Sequence, residues 1–326
     1  MKRILVIQTA SIGDVILATS LVESLHRERP ETAIDLLVKK GNESLFTGHP
    51  YLRQVIAWDK HTGKYSGLFR IIRRNRKEHY DLIINIQRFL SSGLITVLSG
   101  ARETRGFTKN PLSRLFTRRF GHRIGSVHEV ERNHDLLTGV VTGSPARPAL
   151  YPQPEDLALA GRLAPGTCYT LSPASLWFTK QYPAEKWAEL IRLIPEEAGV
   201  FLLGSKSDAA LCESIMAQSS HPGTVNLAGK LTLLQSAAVM RCARMNFTND
   251  SAPMHLAAAV DAPVTAIFCS TVPEFGFGPL SSDAAVVQIA EPLACRPCGL
   301  HGRSSCPEGH FRCAYGIAPG QLTARL

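Results

Sequence analysis

Short apolar runs alternate with segments of helical periodicity along the 326-residue chain, and this alternation constrains the fold more than any other feature. The first run, residues 4–7, is rich in β-prone side chains, and apolar residues at helical spacing follow it over 14–26. Further runs at 33–40 and 80–87 continue the pattern. Strands that alternate with helices predict parallel βαβ units.

A proline-rich segment, residues 144–166, interrupts the alternation, which then starts again. Clustered prolines without a hydrophobic period are typical of a connection between domains, and we expect one short helix near 155–163 within it. Beyond it the sequence predicts strands at 168–175, 199–205, 245–250 and 263–269, and helices at 184–194, 207–218 (capped by Ser207), 232–243 (capped by Thr232) and 251–260. We therefore expect an α/β protein of two doubly wound, Rossmann-like domains, 1–150 and 151–326, which face each other across a ligand cleft.

The net charge of +9 is concentrated in the first half of the chain. Residues 1–150 contain 24 Lys and Arg against 13 Asp and Glu, whereas residues 151–326 contain 12 against 14. The basic stretches at 70–77 and 113–123 are either a solvated helix face without a partner or a surface that attracts an anion. Aromatic residues make up only 7% and nucleic-acid-binding motifs are lacking, so we expect an anionic substrate or an anionic membrane surface rather than nucleic acid.

The N-terminal residues do not have the pattern of a secretory signal, because the apolar run at 4–7 is too short and Asp14 follows it closely. The longest weakly polar stretch, 89–101, is shorter than the roughly 20 residues that a membrane-spanning helix requires. We expect a cytoplasmic protein, with peripheral attachment to the inner membrane left open.

The loop between the first predicted strand and helix, residues 11–14, is the first candidate site. Gly13 would allow a tight turn, and Asp14 falls at a helix start, where the helix dipole favours a carboxylate. Asp14 is therefore either an ordinary helix cap or a general base that projects into the cleft.

Two loops in the second half are further candidates. A strand ends at Asp250 and a helix opens at Ser251, where free backbone N–H groups suit a diphosphate, with His255 one turn later. The alternative is a capped core helix with an incidental histidine. Lys180, just ahead of another helix, can place an ammonium against a phosphate, although a lone lysine is usually only solvated.

Taken together, the segments IGDVILATSLVESL, PAS-x4-K-x-YP-x3-W and TNDSAPMHLAAAV-x2-PVTAIF resemble glycosyltransferase family 9, the lipopolysaccharide core heptosyltransferases, in their order and spacing. The resemblance spans nearly the whole chain. It implies a GT-B fold and an inverting, single-displacement transfer of heptose from an ADP-sugar to Kdo or heptose in the inner core of a lipid A-linked acceptor. It implies no cofactor for catalysis.

The resemblance also implies roles for individual residues. Asp14 matches the family's catalytic base, Lys180 matches the lysine that meets the donor phosphates, and Ser11 and Gly13 would contact the acceptor. Residues matched to the donor site are Ser175, Leu231 (against the adenine), Asp250, Ser251, Ala252 and His255. Ala252 replaces the family's usual glycine, and the sequence after residue 317 leaves little room for the family's C-terminal helix.

Four of the eight cysteines, Cys295, Cys298, Cys306 and Cys313, lie close together in sequence near the end of the chain. Disulfides are disfavoured in a cytoplasmic protein, so a structural zinc or iron site is the first expectation, ahead of reduced thiols and of disulfides. The other four, Cys168, Cys212, Cys242 and Cys269, lie in apolar patterns and are expected in the core.

Two other functions remain open from the sequence. The same fold could use another nucleotide sugar or acceptor, or the chain could be a catalytically silent module that binds a sugar nucleotide or a metal. The presence of both Asp14 and Lys180 counts against a silent module. A dehydrogenase is disfavoured because G-x-G-x-x-G does not follow the first strand. The sequence does not predict the oligomeric state.

Overall fold

The computed structural model describes residues 1–60, 64–123, 125 and 127–326. The chain divides into two compact units, Met1–Tyr151 and Pro152–Leu326. Each unit is built on one parallel sheet of six strands with helices around it. The prediction of an α/β protein with two doubly wound sheets is therefore confirmed.

The sheet of the first unit has the strand order β3-β2-β1-β4-β5-β6. Its strands β1–β6 are Arg3–Ile7, Ala33–Lys39, Leu52–Trp58, Leu82–Asn85, Glu103–Phe107 and Arg118–Phe120, and its helices α1–α4 are Ile12–Glu28, Lys64–Glu78, Leu90–Leu98 and Glu129–His134. Strand β1 pairs with β2 on one side and with β4 on the other, so the strand order reverses between β1 and β4. Open α/β sheets bind ligands at the carboxyl ends of the strands beside such a switch point.

The apolar run in β1 is continuous because this central strand is covered on both faces, and Ile4–Ile7 are fully buried. The helix α1 is also buried around most of its circumference, since the end of the first unit packs along it. The backbone N–H groups of Ala146 and Ala149 donate to the hydroxyls of Ser24 and Thr19 on α1, both at 2.9 Å. The first part of the predicted proline-rich connection is thus an ordered part of the first unit.

The second unit repeats the topology of the first. Its strands β7–β12 are Cys168–Ser172, Gly199–Leu202, Thr224–Asn226, Met245–Asn249, Val264–Phe268 and Ala284–Gln288, and its helices α5–α11 are Pro154–Leu163, Ala184–Ile191, Ala209–Ser219, Leu233–Cys242, Ala252–Ala259, Arg312–Tyr315 and Gly320–Thr323. The order β12-β11-β10-β7-β8-β9 places the switch point between β7 and β10. The core beneath this sheet contains the fully buried Trp187 and Phe247.

Of the two predicted helix caps, one is confirmed and one is wrong. Thr232 caps α8 as expected, because its hydroxyl accepts a hydrogen bond from the Gln235 N–H at 3.2 Å. Ser207 does not cap α7: this residue lies in a short 3-10 turn that precedes Ala209, and the N–H of Ser205 is satisfied by Asp208 at 2.8 Å.

The expectation that Cys242 lies in the core is wrong, since this cysteine is exposed at the end of α8. The cysteines Cys168, Cys212 and Cys269 are buried as expected. Within the described residues, none of the helices has both the length and the apolar character needed to cross a membrane.

Candidate active site

Asp14 lies in the first turn of α1, immediately after the loop that leaves the switch point of the first sheet. Ser11, not Asp14, is the N-cap residue, and the Ser11 hydroxyl donates to Asp14 Oδ2 at 2.5 Å. The interpretation of Asp14 as a helix cap is therefore wrong. The tight turn expected at Gly13 is wrong as well, because this glycine is buried inside the first turn of α1. The positive end of the helix stabilises a carboxylate at this position.

Two lysines lie at the same edge of the first sheet. Lys60, which follows β3, donates through Nζ to the carbonyl and the hydroxyl of Thr9 at 3.1 and 2.9 Å, in the loop that leads to α1. Lys109 follows β5. Partial burial lowers the pKa of Lys109 to about 8. The Arg132 guanidinium lowers this pKa further, whereas the carboxylates of Glu129 and Asp14 oppose the shift.

A buried ion pair on α4 lies close to Lys109. Arg132 and Glu129 are 3.0 Å apart, and their side chains are only 3% and 9% exposed. Burial raises the pKa of Glu129, against the effect of Arg132, and the negative charge of Asp14 raises it further. Burial, together with Lys109 and Arg132, lowers the pKa of His122 to about 4. Apart from the Arg132–Glu129 pair, the rim around Asp14 therefore combines one half-buried carboxylate with the cations Lys60 and Lys109, which suits an anionic ligand.

The sequence reasoning did not single out these residues as site residues. A usable signal was present, because Lys60, Lys109 and His122 all follow strands of the first sheet, and ligands bind at that edge. That signal becomes readable only when the strands themselves are recognised, and β3, β5 and β6 lack a distinct apolar run.

In the second unit, the structure brings Lys180 and Asp250 together. Lys180 Nζ lies 2.6 Å from Asp250 Oδ2, and the two side chains are 15% and 9% exposed. The hydroxyl of Thr271 donates to the same carboxylate oxygen, also at 2.6 Å. Asp250 follows β10 and Lys180 lies in the segment after β7, so the pair marks the switch point of the second sheet. Lys180 is thus not a merely solvated lysine.

Asn249, the last residue of β10, holds the Lys180 loop to the sheet. Its Oδ1 accepts from the Tyr182 N–H at 2.9 Å, and its Nδ2 donates to the Pro173 carbonyl at 2.7 Å. Both ends of the segment that carries Lys180 are therefore fixed to one buried side chain. This role was not predicted, since an asparagine at a strand end looks like an ordinary turn residue.

The helix α9 begins beside the ion pair. Ser251 is its N-cap residue, and its side chain makes no cap hydrogen bond. Ala252 and the following proline form the first turn and are half-buried, so the first backbone N–H groups lie at the rim of the sheet. His255 is 6% exposed, one turn into the helix. The methyl group of Ala252 also lies at this rim.

The remaining two predicted donor residues lie farther along the chain in the same unit. Ser175 is in the loop after β7, where its carbonyl accepts from the Gln181 side chain at 2.7 Å. Leu231 is half-buried and directly precedes the cap of α8. Within the described residues, hydrogen bonds and ion pairs do not connect either residue to the Lys180–Asp250 pair.

The four clustered cysteines line one pocket, together with Glu308 and His310. Burial and the neighbouring Cys298 and Cys306 raise the pKa of Cys313 to about 11. Across the described ranges, however, His, Cys, Asp and Glu side chains do not form a group of three or more that could hold a metal ion. The cysteines thus converge without forming a coordination site in this arrangement.

The cysteine segment also supports the Lys180 loop. Thr179 makes two hydrogen bonds to Arg303 of this segment. Its N–H donates to the Arg303 carbonyl at 3.1 Å, and its hydroxyl accepts from the Arg303 N–H at 2.8 Å. Gly302 has a φ of +78°, and a Cβ atom on it would lie 2.9 Å from Lys180 Cγ. The neighbouring Arg296 donates at 2.7 Å to the carbonyls of Cys269 and Thr271. The segment therefore packs against Lys180 and holds the backbone at Thr271, whose hydroxyl binds Asp250.

Comparison with known proteins relates the chain to one family of glycosyltransferases. The family model for glycosyltransferase family 9 (heptosyltransferase) matches residues 68–302. Lipopolysaccharide heptosyltransferase 1 of Pseudomonas aeruginosa is 28% identical over 320 residues, which covers 91% of this chain and 86% of that protein. A family 9 glycosyl transferase structure from Veillonella parvula superimposes with a TM-score of 0.87 at 21% identity, covering 99% and 96% of the two chains.

Two further structures share the fold and were determined with ligands or metal. The E. coli heptosyltransferase WaaC with ADP-2-deoxy-2-fluoro heptose has a TM-score of 0.71 at 18% identity and covers 99% of this chain and 98% of its own. The iron-containing dodecameric heptosyltransferase TibC, in complex with ADP-D-beta-D-heptose, has a TM-score of 0.58 at 15% identity, covering 99% and 74%.

Proposed function

Because the chain belongs to glycosyltransferase family 9, we propose that it transfers heptose from ADP-heptose to an inner-core sugar, Kdo or heptose, of lipopolysaccharide. The first part of this statement, a heptosyltransferase of lipopolysaccharide core biosynthesis, follows from the family and its relatives. The donor, the acceptor and the residue roles are the proposal. The observation that carries it is that Asp14 and the Lys180–Asp250 pair each lie beside the switch point of a sheet, where open α/β sheets bind ligands.

We assign Asp14 as the general base. In a single displacement, the acceptor hydroxyl oxygen forms a bond to the anomeric carbon while the bond from that carbon to the β-phosphate oxygen of ADP breaks. The hydroxyl proton moves to the Asp14 carboxylate, and ADP leaves with the electron pair, so the anomeric configuration inverts. The hydrogen bond from the Ser11 hydroxyl fixes the orientation of the carboxylate. A positioned base of this kind contributes about 10²–10⁴-fold to the rate.

We assign Lys180 and the first N–H groups of α9 to the departing diphosphate. The ammonium is already held at a fixed place by Asp250, so its positive field is preorganised and needs little rearrangement when charge develops. A diphosphate that approaches Lys180 meets a lysine that Asp250 neutralises. We therefore propose that the donor hydroxyls take over hydrogen bonds from Asp250, which frees the ammonium to face the phosphates.

The cations around Asp14 fit the acceptor in this proposal. A lipid A-linked core carries carboxylates and phosphates, and Lys60 and Lys109 lie at the same sheet edge as Asp14. The first unit, which contains the excess of positive charge, would then bind the acceptor, and the second unit would bind the nucleotide sugar. The proposal places the chain in the cytoplasm, at the inner membrane that carries the acceptor.

The cysteine pocket is proposed as a structural metal site, with no part in the chemical step. Four thiols that line one pocket are of the donor type that zinc and iron prefer. Cys295, Cys298, Cys306 and Cys313 would be the ligands. Elemental analysis of protein purified without chelator tests this: about one zinc or iron per chain is expected, and protein that contains neither metal would contradict it.

The test of the function is turnover of ADP-heptose with a panel of truncated core acceptors, read by product mass. Addition of one heptose to an acceptor that ends in Kdo or heptose is expected, with ADP released in equal amount. UDP-sugars run in parallel test the rival donor. Transfer from a UDP-sugar, or binding of ADP-heptose without transfer to any acceptor, would favour the two alternatives instead.

A further inference from the structure

The helix α2 of the first unit presents an unusual outer surface. Its inner side packs into the core through Leu68, Ile71 and Ile72, which leaves the opposite side to solvent. That outer side is formed by one aromatic residue and four cations, Phe69, Arg70, Arg73, Arg76 and Lys77. Phe69 is 65% exposed, which is unusual for a phenylalanine with a core available on the other side of its helix.

The helix α3 contributes an apolar outer surface. Its sequence, LSSGLITVL, contains no charged residue, and its two residues that are exposed to solvent are both leucines, Leu90 and Leu98. Phe89, which caps the helix, is 50% exposed, and Leu90 and Leu98 are 53% and 43% exposed. A helix in contact with water normally carries polar residues on that side.

These two surfaces are neighbours. Ile71 of α2 and Ile95 of α3 belong to the same core cluster, so both helices cover one side of the first sheet. At their ends, a Cβ atom on Gly100 would lie 3.9 Å from the Arg76 side chain. The exposed residues therefore form one continuous surface, here called the docking face: Phe69, Arg70, Arg73, Arg76, Lys77, Phe89, Leu90 and Leu98.

The docking face contains no acidic residue. The one carboxylate on α2, Glu78, is half-buried and is engaged by Arg3 at 3.3 Å and by Arg53 at 2.7 Å. In the part of the chain that the structure describes, the four cations of the face do not form ion pairs. They therefore keep their full attraction for an external anion.

We propose that the docking face binds the surface of an anionic lipid bilayer. Cations attract acidic headgroups, while phenylalanine and leucine side chains gain free energy by entering the boundary between headgroups and acyl chains. Nucleic acid would use the cations but would leave the leucines in water. A second copy bound through the same face would bring four cations against four. The inference rests on the proposed function only in that a lipid-linked acceptor gives the contact a purpose.

The test is co-sedimentation of the full chain with vesicles, without any sugar nucleotide. Vesicles of phosphatidylcholine with about one-third phosphatidylglycerol are compared with pure phosphatidylcholine, at low and at high salt. We expect binding only to the anionic vesicles. Each cation removed near such a surface weakens binding about fivefold, so R73Q/R76Q should bind about 25-fold more weakly. The variant L90S/L98S should also bind the anionic vesicles more weakly, and its loss of affinity should depend less on salt than the loss in R73Q/R76Q.

The matched control is R162Q/R241Q, which removes two exposed arginines from the second unit and should bind like the parent chain. Equal losses in both double variants would show that net charge alone matters and would overturn the proposal. So would tight binding to phosphatidylcholine alone, or a parent dimer that L90S/L98S dissociates. Vesicle binding that persists while heptose transfer fails would refute the proposed function and leave the docking face intact.

Discussion

The two units share one sheet topology but carry different electrostatics. Both have the reversed strand order with a switch point beside their first strand. In the first unit, the switch point holds the half-buried carboxylate of Asp14 among cations, and the unit's residues 1–150 have a balance of +11. In the second, a carboxylate and an ammonium already neutralise each other. The shared scaffold thus decides where a ligand binds, while the loops at that edge of the sheet decide the charge of the binding site.

The expected difference between the two units is tested most strongly by removing the carboxylate of the first unit. Asp14→Asn keeps the size of the side chain and should lower turnover by about 10²–10⁴-fold, because the acceptor hydroxyl loses its base. ADP-heptose affinity, measured by calorimetry, should stay the same because the donor is assigned to the second unit. Glu23→Gln on the same helix is the control and should retain turnover. Near-normal turnover of the Asp14 variant would refute the base assignment.

Removal of the ammonium from the second unit should give the next largest effect. Lys180→Met should weaken binding of ADP and of ADP-heptose by about 10–100-fold, the range expected for a hydrogen bond between charged groups. Affinity for the acceptor should change little. Lys186→Met on α6 removes an ordinary ion pair with Glu189 and serves as the control. An equal loss of donor and acceptor affinity would show that the site had collapsed rather than lost one contact.

A pH series should separate the units further, since Lys109 of the first unit has a pKa of about 8. Its positive charge is present below that pH and is lost above it, so the KM for an anionic acceptor should rise about two- to fivefold between pH 7 and 9. The KM for the donor should not follow this rise. Lys109→Arg keeps its charge throughout and should flatten the acceptor profile. An arginine variant with the same profile as the parent would assign the titration to another group.

The smallest effect concerns stability and belongs to α1 of the first unit. Burial raises the pKa of Glu23 to about 7, although the hydrogen bond from Tyr151 opposes this shift. The folded chain therefore holds one more proton than the unfolded chain between pH 4.5 and 7, so this contribution to stability is present at low pH and is lost as the pH rises. The free energy of unfolding of Glu23→Gln, measured relative to that of the parent chain, should therefore be higher at pH 8 than at pH 5 by about 1–3 kcal/mol.

Denaturant titrations at the two pH values measure this difference. Glu28 on the same helix provides a control of opposite sign, because hydrogen bonds from the Thr142 and Gly143 N–H groups lower its pKa. Its contribution is present above the unfolded pKa and is lost as the pH falls, so Glu28→Gln should lose stability at neutral pH. A Glu23 variant whose gain is the same at both pH values would show that Glu23 does not titrate in this range.

The sequence was informative where burial is complete on both sides of an element. Strands β1 and β4 are fully covered central strands, and their continuous apolar runs predicted them. Edge strands such as β6, with the sequence RRF and its side chains largely in solvent, carry no such signal. The bounds of helix α2 were not predicted, although residues 70–77 were interpreted as one possible solvated helix face, because its composition is strongly polar and only one side of it is buried.

The site, like the fold, could be predicted only where the signal is local in sequence. Motif order predicted Asp14, Lys180 and Asp250 as site residues, but contacts between distant segments cannot be read from spacing. The hydrogen bonds that link Thr179 to Arg303 span 124 residues, and the Tyr182–Asn249 contact spans 67. Such pairings depend on which loops the topology brings to one sheet edge. They become visible only when all the strands are in place.

The strand order also bears on how the chain is made. In each unit the strand synthesised first becomes a central strand, and later strands add outward on either side of it. All six strands of the first sheet, and the segment up to Tyr151 that packs on α1, precede β7 in the chain. Because domains generally fold as units from the N-terminus during synthesis, the first sheet can be complete before the ribosome has made the second. Each half can therefore acquire its fold without waiting for the other.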